Sequence, residues 1–194
     1  MEMPSFVSRV SRAEREDSEQ FKQLVSFRIG QEEFGVDILV VQEIIRLPTI
    51  TPLPNSQRFI LGMINLRGKI IPVIDLRRRL KIRGGKSSVS DRKARVLIVE
   101  MQSSVTGFIV DSVSEVMRIP ANEIEPTPHL VVSNIDSEYI KGVIKLPNRL
   151  VILLDFQQIL KPQEVKEIQS ARIHALEGDI RGANTAIESL FETT

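Results

Sequence analysis

The chain has no cysteine, no tryptophan, one tyrosine and two histidines among its 194 residues, and aromatic residues make up 5%. Each shortage removes a class of function. Without cysteine there can be no disulfide, thiolate metal ligand or thiol nucleophile, a composition that fits a reducing cytoplasm. His129 and His174 stand far apart with no second histidine at ligand spacing, so no metal site is expected. Scarce aromatic rings leave little on which unpaired bases could stack. Lys and Arg number 26 against 25 Asp and Glu, and the formal charge of +1 gives no global pull toward nucleic acid or anionic lipid. The mixed-charge first twenty residues hold no apolar run able to act as a signal peptide, and no later run approaches a membrane span. Neither of the two common phosphate-cradling glycine loops occurs, so no nucleotide cofactor is implied.

What is present is a hydrophobic fraction of 42%, enough for a core, arranged twice. A shift of 72 places Gln23 over Arg95, Gly35 over Gly107, Val41 over Val113, Glu43 over Glu115, Arg46 over Arg118 and Pro48 over Pro120. After an eight-residue insertion the offset becomes 80 and pairs Gly62 with Gly142, Leu66 with Leu146 and Asp75 with Asp155. The ordered series defines an internal duplication, 21–80 and 93–160, joined by a Gly/Ser/charge-rich linker at 81–92. Each copy alternates short β-branched runs with Pro, Gly and Asn, the pattern of a small all-β unit. A unit of that size is marginal alone, so the two copies should pack on each other across a seam.

Helix is expected in few places. Asp75 before LRRRL and Asp155 before FQQIL read as N-caps of one short helix per copy, and Asp37 as the cap of a helical turn. Residues 1–20 read as a flexible tail. In the helical extension 161–194, Ile173, Leu176, Ile180, Ala183, Ile187 and Leu190 recur at alternating spacings of three and four. That stripe suits a helix docked on its own domain or on a partner. The change of composition past Pro162 makes the extension expected to be removable from residue 163.

Few residues offer chemistry. Arg77-Arg78-Arg79 forms the best basic patch and reads as the solvated side of the short helix or, alternatively, an anion site. Asp111 reads as a turn residue or a partner contact. In Asn65-Leu66-Arg67-Gly68, Asn and Gly hold the end positions favoured in a type I turn, which would point Arg67 outward. Its counterpart Lys145-Leu146-Pro147-Asn148 lacks the arginine. Such a guanidinium can present a fixed fork of donors to a carboxylate or carbonyl.

The stretches GVDILVVQEI, TPLPNSQRFILGMINLRGKIIPVIDLRRRL and GFIVDSVSEVMRIPANEIEPTP resemble the CheW family across about 21–160. The resemblance implies a mainly β fold of two small five-stranded β-barrels packed at a hydrophobic seam. It further implies a non-catalytic scaffold of bacterial chemosensory signal transduction, cytoplasmic and at receptor arrays. Its partners would be the cytoplasmic tip of methyl-accepting chemotaxis receptors and the regulatory domain of the CheA histidine kinase, with no nucleic acid and no membrane insertion. By the same resemblance Ile38, Val41, Glu43 and Arg67 form the receptor-facing groove, and Leu130 contacts the kinase. Two other readings remain at this level: a nucleic-acid-binding barrel anchored by Arg77–Arg79, and a hydrolase using Asp75.

Overall fold

The computed structural model describes residues 20–54, 56–83, 92–101, 104–126, 135–170 and 173. The first copy forms β1 (Phe21–Ile29), β2 (Glu32–Asp37), a 3-10 turn (Ile38–Val40), β3 (Val41–Arg46), β4 (Ile60–Leu66), β5 (Lys69–Asp75) and α1 (Leu76–Arg79). The second repeats the plan with β6 (Arg95–Met101), β7 (Ser104–Val110), β8 (Ser112–Pro120), the short β9 (Ile124–Glu125), β10 (Ile140–Leu146), β11 (Arg149–Leu154) and α2 (Phe156–Ile159). A helix over 162–170 follows.

The protein is mainly β, built on two sheets with orders β8-β1-β2-β11-β10-β9 and β3-β6-β7-β5-β4. Neither sheet corresponds to one sequence copy. β8, β10 and β11 of the second copy join β1 and β2 of the first, while β3, β4 and β5 of the first join β6 and β7 of the second. The crossing points are short: the 3-10 turn carries the chain from β2 to β3, and Asp111 carries it from β7 to β8. The sheets curl without closing, so "barrel" describes them loosely, and one has six strands where five were expected.

Burial explains why the strands read as nearly continuous apolar runs. In β1, Val25, Phe27 and Ile29 face a large core between the sheets, whereas Leu24 joins a small core enclosed by its own sheet with Met117, Ile144 and Val151. The other sheet wraps Ile64, Ile71, Val73, Val96, Ile98 and Ile109. Within one sheet Phe27 stacks on its cross-strand neighbour Phe34; across the seam Phe27 meets Phe156 edge-on, and Phe156 meets Phe108 edge-on with ring centroids 4.7 Å apart.

Two glycines permit a repeated close approach. Thr51 bridges Met63 through hydrogen bonds of 2.9 and 2.8 Å, and β9 pairs with β10 at the equivalent place. A Cβ on Gly62 (φ +147°) would stand 2.0 Å from the Thr51 carbonyl oxygen, and one on Gly142 would stand 2.7 Å from that of Glu125.

The helix caps form where local sequence places them. Arg78 N donates to Asp75 Oδ1 at 3.1 Å, Gln157 N to Asp155 Oδ1 at 3.0 Å and Leu39 N to Asp37 Oδ1 at 3.0 Å. The basic run, however, is not a solvated face. Arg77 and Arg79 are buried, and only Arg78 is exposed. Arg77 pairs with Asp111, whose Oδ2 also accepts from Gly30 N at 2.7 Å, so Asp111 fastens the β7–β8 crossing to the β1–β2 turn.

Arg79 lies where the copies meet. Its Nε donates to the carbonyl of Ile159, the residue 80 positions later, at 2.6 Å. Its guanidinium sits 5.1 Å from the Phe59 ring centroid and 4.9 Å from that of Tyr139, again an equivalent pair. Glu164 neutralises it at 3.3 Å. Glu164 also accepts from Lys161 N at 2.7 Å, Ile168 is buried in the seam core, and Gln57 donates to Glu167. The start of the C-terminal helix therefore belongs to the core, correcting the expectation that the chain can be cut at 163. Of the expected apolar stripe only Ile173 is described, and it is exposed; the remainder lies outside the described residues.

Candidate functional site: the mouth of the five-stranded sheet

The β4–β5 hairpin has the register Leu66↔Lys69, which leaves Arg67 and Gly68 as its two central residues, with φ of +52° and +82°. Positive φ at both positions is the type I′ turn, whose twist matches that of antiparallel strands. The expected type I turn over 65–68 is thereby corrected: pairing places the turn over 66–69, one residue later. Asn65 contributes differently, its Oδ1 accepting from Gly68 N at 2.9 Å. Arg67 occupies a backbone region that a non-glycine residue adopts at a cost of about 1 kcal/mol or more.

The Arg67 side chain is 76% exposed and reaches the edge strand β3, where Nη1 and Nη2 donate to the two Glu43 carboxylate oxygens at 2.9 and 2.7 Å. This bidentate fork closes the open side of the curled sheet. Beneath it lies a pocket of about 130 Å³, floored by Leu66, Ile71, Ile98 and Val105 and rimmed by Gln42, Glu43, Arg67 and Lys69. Ile38 and Val41 precede Glu43 in the chain and are half-buried against the seam core. The structure thus joins Glu43 to Arg67 directly and sets Ile38 and Val41 at the adjoining seam. Leu130 lies outside the described residues.

Sequence reasoning missed two kinds of residue. Leu39 and Ile44, beside the expected groove residues, are the exposed apolar side chains there, at 86% and 39%. The second is Arg149. Subtracting or adding the repeat offsets to the residues of the first mouth gives Ser26 for Ile98, Glu33 for Val105, Glu115 for Glu43 and Arg149 for Lys69. In the six-stranded sheet Arg149 pairs with Glu115 and, at 3.3 Å, with the buried Glu33, while Glu115 N donates to Ser26 Oγ at 3.3 Å. Its hydrogen bond to Glu115, with the added charge of Glu33, pushes the Arg149 pKa up. The glutamate–arginine pair is therefore present in both copies, supplied from position 67 in one and 149 in the other. The signal was available: Glu115 is retained at offset 72, and a basic residue stands two positions after Pro147.

Other candidates have structural tasks. Asp75 is 2% exposed and held by its cap and by Arg78, and two of the three arginines proposed as an anion site are buried in internal pairs. Among the described residues, no helix is long and apolar enough to cross a membrane and no group of three or more His, Asp or Glu is placed to hold a metal ion.

Two curled sheets around a shared core, with a charged clasp over an apolar pocket, define a β-sheet interaction module. Comparison with known proteins specifies it: the family model described as CheW-like domain matches residues 23–182, and the chain belongs to that family. It is 37% identical over 145 residues to the chemotaxis protein CheW of Klebsiella aerogenes, covering 74% of this chain and 84% of the relative. The chemotaxis protein CheW of Helicobacter pylori is 35% identical over 149 residues, with 77% and 87% covered. The crystal structure of scaffolding protein TtCheW from Thermoanaerobacter tengcongensis superposes with a TM-score of 0.66 at 38% identity, covering 74% of this chain and 90% of that one. The protein is a chemotaxis adaptor of the scaffold type.

Proposed function

We propose that this protein couples the cytoplasmic tip of chemoreceptors to the regulatory domain of the CheA kinase, in the cytoplasm at receptor arrays and without catalysing a reaction itself. The observation that carries the reading is Arg67. An exposed arginine held at positive φ on a tight hairpin, where Asn or Gly would be easier, is strain retained at a point of contact. Its fork, Glu43 and the apolar surface of Ile38 and Val41 supply the charged rim and apolar anchors that suit a helix laid on a groove. Leu130 is the proposed kinase contact.

The test is titration of the Arg67→Glu protein with a receptor tip fragment and, separately, with the kinase regulatory domain. Charge reversal places two carboxylates together and removes the fork. Receptor affinity should fall tenfold or more, about 1.4 kcal/mol, while kinase affinity changes little. Leu130→Ala should do the reverse. Unchanged receptor affinity for Arg67→Glu would remove Arg67 from the receptor contact.

A further inference from the structure

We propose that the pocket beneath the Arg67–Glu43 clasp is a receptor subsite that takes a single aliphatic side chain from the receptor helix, one with an acidic residue about one turn away. This rests on the receptor reading above and adds the chemistry of what enters the site.

The duplication provides the comparison. In the second mouth, Arg149 stands over polar equivalents, held by Glu33 and Glu115 with Ser26 beside them. The protein's own side chain, with an apolar stem and a charged head, meets the polar groups there. In the first mouth the two positions corresponding to Ser26 and Glu33 are Ile98 and Val105, and the residue corresponding to Arg149 is Lys69 on the rim. An apolar floor offers no hydrogen-bond partner to a polar head, so the fitting occupant is apolar to its tip. Desolvating such a floor while a polar rim excludes water is how an interface anchor gains its affinity.

The rim selects what accompanies that anchor. Its charged lining residues are two cations, Arg67 and Lys69, against one carboxylate, Glu43. A helix presenting Asp or Glu three or four residues from the anchor places that carboxylate over the rim. The pocket's size, about 130 Å³, suits one branched side chain and not an aromatic pair. Its lining comes from β3, the β4–β5 hairpin, β6 and β7, so both sequence copies contribute to it.

Methyl-resolved NMR of the full-length chain during titration with a receptor tip fragment tests this without any substitution. The methyl signals of Ile71, Ile98 and Val105 should shift on binding, while that of Val151, the second-mouth equivalent of Ile71, stays in place. Val105→Phe, which fills the pocket from a half-buried position, should weaken receptor binding tenfold or more and leave kinase-domain binding unchanged. Binding that shifts Ile38 and Val41 alone, with Val105→Phe at parental affinity, overturns the subsite and leaves the receptor reading standing. A parent protein that does not bind the fragment overturns both.

Discussion

The two mouths are lined from equivalent positions of one duplicated plan, yet their charged side chains are arranged differently. In the six-stranded sheet, Arg149 joins a buried and an exposed glutamate, so its ion pairs fasten the fold. In the five-stranded sheet, Arg67 and Glu43 clasp each other over an apolar pocket, with Arg67 largely in solvent on a strained turn. Exposed pairs contribute about 0–1 kcal/mol to stability, whereas removing the partner of a buried charge costs considerably more. The difference lies in a few side chains and in the hairpin turn, where Arg67 and Gly68 take positive φ and their counterparts Pro147 and Asn148 do not. Duplication gave two sockets, one closed by its own arginine and one that, in the function proposed above, meets another molecule.

The largest expected effect comes from erasing a difference between the copies at their meeting point. Arg79→Ile gives the first copy the residue that the second carries at 159, and leaves buried Glu164 without its cation and the Ile159 carbonyl without its guanidinium donor. Stability in urea unfolding should fall by about 3 kcal/mol. Adding Glu164→Leu should restore part of it, because the buried carboxylate is removed together with its partner. A chain ending at residue 162 should resemble the single variant, since it also loses the buried Ile168. A truncated chain as stable as the parent would contradict the docked helix.

The mouths themselves predict a double dissociation. Arg149→Ala strips the cation from buried Glu33 and should lower the urea midpoint more than Arg67→Ala, whose effect should stay within about 1 kcal/mol. Receptor-fragment affinity should rank the other way, with Arg67→Ala the weaker binder. Equal losses of stability would abolish the distinction between a fastening pair and a contact pair.

Local features were legible in the sequence, and features created by pairing were not. Asp75 and Asp155 announced their helices because a cap acts within three residues of itself. The offsets of 72 and 80 revealed the duplication because strand lengths and glycines such as Gly62 and Gly142 recur. Nothing in either copy said that β3 would pair with β6 and β8 with β1, since strand choice is decided by tertiary contact. Composition marked a turn at Arg67, whereas its bounds and type were set by the register of β4 against β5. Three consecutive arginines looked solvated until Asp111 and Glu164, 34 and 85 positions away, folded back onto two of them. Of the site, Arg67 was readable as an outward turn residue and Glu43 came only with the family resemblance; the pocket beneath them, assembled from five strands and the β4–β5 turn, was not readable.

A smaller effect sharpens the reading of Arg67 as a strained contact. Asn tolerates the left-handed region better than Arg, so Arg67→Asn should relieve turn strain while removing the fork to Glu43. With an exposed ion pair lost and strain released, stability should rise by up to about 1 kcal/mol or stay level. Receptor affinity should nevertheless fall. Calorimetric unfolding alongside fragment titration separates the two, and a variant both less stable and fully competent to bind would count against stored strain.

The smallest effect concerns the ring that shares Arg79 with Phe59. Tyr139 is 1% exposed, and burial pushes its hydroxyl pKa above the ordinary 10.0, the nearby Arg79 charge acting in the opposite direction and the hydrogen bond with Glu138 adding to the rise. A folded pKa above the unfolded one means that the neutral form is favoured by folding. The resulting stability is fully present below pH 10.0 and is lost as pH rises through the folded value. Because Tyr139 is the single tyrosine and there is no tryptophan, tyrosinate absorbance reports this one group without interference. The native titration should lag behind that of the chain in urea. In Arg79→Met the lag should widen, since the charge that favours the phenolate is gone while the ring stays in the seam. A native titration that overlays the unfolded one would place Tyr139 in solvent and detach it from the junction of the two copies.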